Sequence, residues 1–521
     1  MMNEMDKMDN SNGSNETVNI IEQAEKPGYL HLLTLSDKLL AAGALVLGVL
    51  FVWFFYGKYP GISIPLFVIA FYALLFAYTR PVLSREAKFG WFLSIPVLML
   101  SLTYLLFGNE ILMILDLLAL IVLILLQTIL ITGANTFKWH SPAVLIDLLF
   151  GVFYRCMAHV IKPFRIAGVL LRRNHSENTG KSAGVKILTG LLISFPLLLV
   201  LLALLSSADM VFGNLIEKLP DIFGDLNLEE LFGKVIVALI IFVTSFSYLW
   251  SLGHGEKPAD SQMKGLEAAP SLLKRRWDPV VIITLTAAVD VLYVVFVAIQ
   301  FAYLFGKFGL PEGFTYAEYA RSGFFELILV TLLNISLLAC TLTFTKKGSL
   351  AADNGLKVLN TIMIGCTFVM LFSAQYRMSL YEEAYGYTFL RIMTQAFMVF
   401  MLVLFIITLA RVWAERLPLL KPYIAVAIIA FTVVNYINVD KMIVKKNIER
   451  YYSTNVIDIG YFRTLSNDIV GELKKLAGDK NPDVAAEAEE LLDQRKKSLS
   501  RNKGWQSFNL PDYRARKALG E

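Results

Sequence analysis

Eleven stretches of this chain are long and apolar enough to be membrane-crossing helices, and they constrain its fold more than any other feature. They cover 39–56, 62–79, 90–107, 111–133, 187–207, 232–252, 279–305, 323–345, 356–378, 388–410 and 419–437. A helix needs about 20 mostly apolar residues to cross the hydrocarbon core. Composition agrees: 56% of residues are hydrophobic, only 17% are charged, and mean hydropathy is +0.58. Soluble domains average about 25% charged residues, so a soluble chain of this length would lack the charges to cover its surfaces. Its three cysteines (Cys156, Cys340, Cys366) lie in or beside apolar segments, which argues against a secreted disulfide scaffold. The first span follows an acidic, Asn-rich leader without a small-residue cleavage pattern and reads as a retained span. The expected fold is all-α: a polytopic transmembrane bundle of about eleven spans (38–437) with a small helical extramembrane module (438–521).

A twelfth apolar stretch, 142–162, reads differently. Asp147, Arg155, His159 and Lys162 fall at about 0°, 80°, 120° and 60° on a helical wheel. They lie opposite Leu145, Leu149, Phe153 and Cys156, as expected of an interfacial helix. With eleven spans and the N-terminus inside, 22 Lys and Arg fall in inward loops or, as Lys357 and Lys421, just inside the adjoining span ends, against 4 in outward loops (Lys58, Lys218, Lys307, Arg321), with Arg377 and Arg391 at span ends left uncounted. That asymmetry fits the positive-inside rule. The expectation is a multi-pass plasma-membrane protein, N-terminus cytoplasmic and C-terminus extracytoplasmic, with the lipid bilayer as its first partner.

Outside the spans, 1–37 is an acidic cytoplasmic leader whose polar residues 1–27 are too poor in apolar groups to order. Residues 253–273 read as a flexible linker, and 208–231 as a helix along the outer surface or capping the bundle. In the tail, 465–477 and 482–498 read as two helices resembling one HEAT-type repeat, with Asn481 as N-cap and Pro482 at the first helical position. One such repeat is not stable alone, so it should pack on the outer face of the bundle or on a partner. Trp505, Phe508, Leu510 and Tyr513 offer further anchors.

Several chemistries are not encoded. Gly180-Lys181-Ser182 resembles the end of a phosphate loop, but His175 stands where its first glycine belongs. The five histidines are scattered and there is no HExxH, so no metal and no cofactor is expected. The charge surplus lies beside spans, so no nucleic-acid partner is expected either.

Ionisable groups at membrane depth are costly and normally face the bundle interior. Asp116 and Gln127 lie about 20° apart on the wheel, and Glu326 and Asn334 about 80° apart. Two polar concentrations are the candidate binding sites. One comprises Asp290 with Tyr316, Tyr319, Arg321 and Glu326, where Arg321 is a candidate partner for Asp290. The other comprises Arg377, Glu382, Tyr385 and Arg391, with Gln375, Tyr376, Tyr381 and Glu383 around them. Interhelical hydrogen bonding and an interfacial aromatic belt would account for many of these residues equally well. The topology puts both concentrations at the outer end, beneath the tail.

The stretches TYAEYARSGFFEL (315–327), Tyr376-Arg377-Met378 with EAYGYTFLR (383–391), and Asn438-Val439-Asp440 through Asn447-Ile448-Glu449-Arg450 carry a resemblance. It continues through Asp458-Ile459-Gly460-Tyr461-Phe462 and Leu465-Ser466-Asn467-Asp468. Across roughly residues 60 to 515 the chain resembles a bacterial family of polytopic membrane proteins with a domain of unknown function (DUF4173/DUF4153-like). The resemblance implies an integral membrane protein of bacterial origin and no particular activity. Three functions are open. The first is an envelope sensor or scaffold binding an envelope ligand or protein at its outer face. The second is a permease for a small solute or ion using Asp290 and Glu326, and the third a transferase acting on a lipid-linked substrate. The balance is against an enzyme.

Overall fold

The computed structural model describes residues 34–82, 84–166, 228–255, 276–304, 324–501 and 504–520, together with Leu205 and Asp209. In order, the bundle helices are α1 (Leu35–Phe55), α2 (Ser63–Tyr78), α3 (Arg85–Phe92), α4 (Ser94–Leu106), α5 (Glu110–Thr132), α6 (Val144–Leu149), α7 (Leu228–Gly253), α8 (Pro279–Leu304), α9 (Phe324–Phe344), α10 (Leu350–Tyr385), α11 (Phe389–Trp413) and α12 (Leu420–Tyr436). The tail adds α13 (Val439–Thr454), α14 (Ile459–Phe462), α15 (Val470–Leu476), α16 (Pro482–Leu499) and α17 (Leu510–Leu519). No strand occurs among the described residues, only an isolated bridge between Trp277 and Thr345.

The protein is an all-helical membrane protein, with eight described helices long and apolar enough to cross a bilayer, or nine if a bent pair counts as one. Eight of the expected spans have such a helix. The stretch 187–207 lies outside the described residues. The stretch 62–79 forms a helix of only 16 residues, because the chain turns through Pro60 and Gly61 before Ser63. The stretch 419–437 becomes α12, which meets α13 at 61°. Asn438 turns there to cap α13, its side chain accepting from Lys441 N at 3.1 Å. A count of eleven is therefore not established.

The spans are arranged inside out. On α5, Ile114, Leu115, Leu118 and Val122 are exposed while Asp116 and Gln127 are buried. On α8, Val291, Leu292, Val295 and Ile299 are exposed around buried Asp290. Lipid solvates aliphatic side chains at no cost, whereas a carboxyl or amide must find protein.

The chain divides into two compact units. One comprises 1–52, 73–79 and 154–254, the other 53–72, 80–153 and 255–521. In the first, Gly48 lies so close to α7 that an added Cβ would come within 2.4 Å of Ala238 O. Such small residues let membrane helices approach closely. Ser247 on α7 donates to Arg155 O at 2.7 Å and accepts from His159 N at 2.9 Å. Lys162 sits 4.6 Å over the ring of Trp250.

In the second unit, Asp147 is buried and accepts from Thr136 N and Phe137 N at 2.9 and 2.8 Å. The helix after α6 widens into a π turn over Phe150–Arg155. Leu145, Leu149 and Phe153 are exposed around buried Asp147.

The main bundle core of this unit joins Met363, Met370 and Met378 of α10 to Met398, Met401 and Phe405 of α11. A second core belongs to the tail. Ile443 and Val444 of α13 pack with Phe462, Ile469, Leu473, Leu476 and Leu491, and the same cluster includes Leu112 of α5 and Phe389 of α11. Bundle and tail therefore share buried apolar surface. Each fully buried side chain of this size contributes about 1.5–3 kcal/mol.

Candidate functional site

Two polar junctions lie where the tail meets the bundle. The first is built on the loop before α5. Asn109 caps α5, its Oδ1 accepting from Leu112 N at 2.9 Å, and its Nδ2 donates to Asp440 Oδ1 at 2.7 Å. The bend at Asn438 delivers Asp440 to this point, in the first turn of α13. The other oxygen of Asp440 accepts from Ser466 N at 2.9 Å, and Gly108 N donates to Asp468 Oδ2 at 3.0 Å. Burial pushes the Asp468 carboxyl above the ordinary Asp range, although Gly108 N and its side-chain partners favour the charged form.

Beneath these contacts is a cavity of about 10 Å³ lined by Thr103, Asp116, Asn435, Asn438, Asp440 and Asp468, with apolar walls from Phe107, Leu112, Met113, Ile437 and Val439. That volume suits about one water. Thr103 Oγ1 donates to Asp116 Oδ2 at 2.6 Å. Asp116 Oδ1 and Asn435 Oδ1 are buried with no hydrogen-bond partner among the described residues. No lysine or arginine lines the cavity, so it favours a proton donor, a water or a small cation. Among the described residues no three His, Cys, Asp or Glu side chains are grouped to hold a metal ion.

The second junction is the corner between α10 and α11. Glu382, buried near the end of α10, accepts from Gln395 Nε2 at 2.5 Å. Arg391 lies 4.2 Å over the Tyr381 ring and donates to Gly386 O. The tail clamps this corner. Asn447 accepts from Tyr387 N at 2.9 Å and donates to Tyr387 O at 2.8 Å. Arg450 donates to Glu383 O and Ala384 O, both at 2.7 Å. Tyr461 OH accepts from Phe389 N at 2.9 Å.

The expected site residues are only partly brought together. Glu382 and Arg391 share the corner, with Tyr385 exposed beside them and Arg377 buried two turns earlier on α10. Tyr316, Tyr319 and Arg321 lie outside the described residues, and with them the suggested Arg321–Asp290 pair. Glu326 is exposed in the first turn of α9, whereas Asn334 is buried. Asp290 is buried with neither carboxylate oxygen hydrogen-bonded among the described residues.

Tyr293 OH donates to Asn334 Oδ1 at 2.5 Å, and Asn334 Nδ2 donates to Thr367 Oγ1 at 2.9 Å. This chain levels Tyr293 with Asn334, which leaves Asp290 and Glu326 about 16 Å apart along the helix axes. They do not form one site. Asp440, Asp468, Asn109, Asn447 and Arg450 were not among the expected site residues. Four of them stood in the runs that carry the family resemblance, which was their one signal.

A helical bundle with buried carboxyls and amides, lipid-facing aliphatic surfaces and a packed polar tail defines an integral membrane protein. The chain belongs to the family described as "Domain of unknown function (DUF4153)", whose family model matches residues 94–476. The match includes both tail junctions and ends at α15. Neither the curated proteins nor the solved structures contain a match to the chain.

Proposed function

We propose that the protein is a sensor or scaffold of the bacterial cell envelope. It lies in the plasma membrane with the N-terminus cytoplasmic and residues 438–521 extracytoplasmic. The supporting observation is the attachment of the tail to three loops at one end of the bundle. Phe508 O accepts from Ile62 N at 3.0 Å, Asp440 and Asp468 hold the 108–109 loop, and Asn447 and Arg450 hold the 383–387 corner. A ligand binding the tail would shift the ends of α2, α5 and α11 together. Glu382, Tyr385 and Arg391, with Arg377 behind them, form the ligand-facing part of that end. Glu326 with Tyr316, Tyr319 and Arg321 belongs to the same proposal as its second cluster, and Asp290, about 16 Å from Glu326 along the helix axes, lies apart from it.

Chain parity favours this orientation. Pro279 packs on Gly348 at the start of α10, and α5 ends at Gly133, which contacts Val82. Both points lie at the end away from the tail, so an even number of crossings separates them. The eleven-span scheme, with two spans between these points, has that parity. A reporter active only outside the membrane, fused after Glu521, should give signal, and its cytoplasmic counterpart should not. Arg450→Ala should weaken the envelope phenotype of a deletion strain's complementation without lowering membrane abundance. An inside signal, or full complementation by Arg450→Ala together with Asn447→Ala, would overturn the reading.

One observation favours a second reading, a small-solute or ion permease: the carboxyl of Asp290 in mid-span, without a hydrogen-bond partner among the described residues. Uptake into proteoliposomes that depends on pH and is lost in Asp290→Asn would establish it.

A further inference from the structure

At the end of the bundle away from the tail, α9, α10 and α11 enclose a cleft of about 70 Å³. Lys346, Lys347, Lys357 and Arg411 line it, against two carboxylates, Asp353 and Glu415. Asp353 is already engaged at the start of α10, where Gly348 N donates to it at 3.0 Å. Glu415 bridges Lys347 and Lys357 at 2.8 and 3.0 Å. Those two ammonium groups hold its carboxyl down at about 2, well below the usual Glu range. The cleft is cationic, and the chain's own carboxylate occupies part of it.

Its floor is polar and unsatisfied. Asn360 and Thr345 line the cleft at 1% and 6% exposure, and Asn360 Oδ1 and Thr345 Oγ1 have no hydrogen-bond partner among the described residues. The Thr345 hydroxyl can donate to an anionic oxygen, whereas Asn360 Oδ1 is an acceptor and suits a hydroxyl of a headgroup. Leu342, Leu356 and Val412 complete the walls. Leu350, Trp413 and Leu417 stand exposed nearby at this end of the bundle, and tryptophan favours the headgroup level of a bilayer.

We propose that this cleft binds the phosphate headgroup of an anionic phospholipid. The phosphate oxygens take Lys357, Lys347 and Arg411, displace the Glu415 carboxylate, and accept from Thr345; a headgroup hydroxyl donates to Asn360 Oδ1, and the acyl chains lie along the exposed apolar surface. Basic pockets between membrane helices recognise anionic headgroups in this way. A free phosphate would meet the same cations but would gain nothing from the apolar rim. In the proposed orientation the cleft opens to the inner leaflet.

The test uses full-length protein in a neutral detergent, with thermal unfolding and native mass spectrometry in the presence of phosphatidylglycerol, phosphatidylcholine or inorganic phosphate. Phosphatidylglycerol should raise the melting temperature and remain bound as one molecule, while the other two should do neither. Lys357→Gln should weaken phosphatidylglycerol binding by about tenfold or more, the worth of a charge-assisted hydrogen bond. Glu415→Gln should tighten it, because it frees Lys347 and Lys357. That second variant keeps the test open should Lys357→Gln fold poorly. Equal protection by phosphatidylcholine would overturn the proposal, as would equal protection by inorganic phosphate. So would a Glu415→Gln protein that binds phosphatidylglycerol no better than the original.

Discussion

Gly386 is the position at which one methyl group should undo the attachment of tail to bundle. It ends α10 at φ 84° and ψ 172°, a region that is essentially glycine's alone. A Cβ built there would lie 2.5 Å from Asn447 Oδ1. Gly386→Ala therefore imposes backbone strain of about 1–3 kcal/mol and pushes Asn447 off Tyr387. The two hydrogen bonds of that clamp, at 2.9 and 2.8 Å, are worth about 1 kcal/mol each. The sum is about 3–5 kcal/mol.

Gly57 is the control. It too has a positive φ, 66°, but a Cβ there meets nothing within 4 Å, so Gly57→Ala carries only strain, about 1–2 kcal/mol. Hydrogen exchange read by mass spectrometry on the solubilised protein separates the two. Peptides covering 383–392 and 439–454 should lose protection by more than about 100-fold in Gly386→Ala, at tenfold per 1.4 kcal/mol. Gly57→Ala should leave both peptides unchanged. Asn447→Ala should give an intermediate loss of about 2 kcal/mol, and combining it with Gly386→Ala should be less than additive because they remove the same clamp. If Gly386→Ala leaves 439–454 as protected as in the original chain, the clamp does not hold α13 and the reasoning fails.

Asp290→Leu should raise thermal stability, since it removes a buried carboxyl whose insertion costs about 2.5–3.5 kcal/mol; a fall in melting temperature would show that Asp290 has a partner beyond the described residues. Glu326→Gln, at an exposed position, should alter stability by no more than about 0.5 kcal/mol, read by the same melt. Asp468 has its carboxyl raised by burial, so its neutral form suits the folded state better than its charged form. The stability it contributes is complete below the unfolded Asp value of about 3.9, and is lost as pH rises through the higher folded value. Melting curves from pH 4 to 7 should show this loss, and Asp468→Asn should flatten it. Trp505→Ala should release the end of the tail, since its ring packs edge-on against Trp53 and Phe54 at 5.3 and 5.9 Å; limited proteolysis after residue 499 should accelerate.

What could be read from the sequence, and what could not, follows from the range of the interactions. A span is a local property of about 20 residues, and eight expected spans have helices that could cross. The shared face of Asp116 and Gln127 was legible too: both are buried, Gln127 accepting from Tyr72 OH and donating to Ser94 Oγ at 2.6 Å each. A wheel relates residues to one another but does not say which side faces inward, nor where the protein ends along the axis. Glu326 shares a side with Asn334 yet sits a turn from the helix start, so it is exposed while Asn334 is buried. The junctions were illegible for a different reason. Asn109 meets Asp440 across 331 residues and Gly108 meets Asp468 across 360, distances over which no periodicity carries information.

Arg495 shows how such contacts depend on one another. Buried in α16, it donates to Asn467 Oδ1, Phe462 O and Leu465 O, each at 2.8 Å, and so holds the turn that presents Ser466 and Asp468 to the bundle. Its own burial lowers its pKa to about 10, against the opposing pull of Asp440 and Asp512. In sequence Arg495 is one more cation on an amphipathic helix. Only folding makes it the support of a turn whose neighbours reach the 108–109 loop, which is why the tail has to be understood together with the bundle rather than as an appended module.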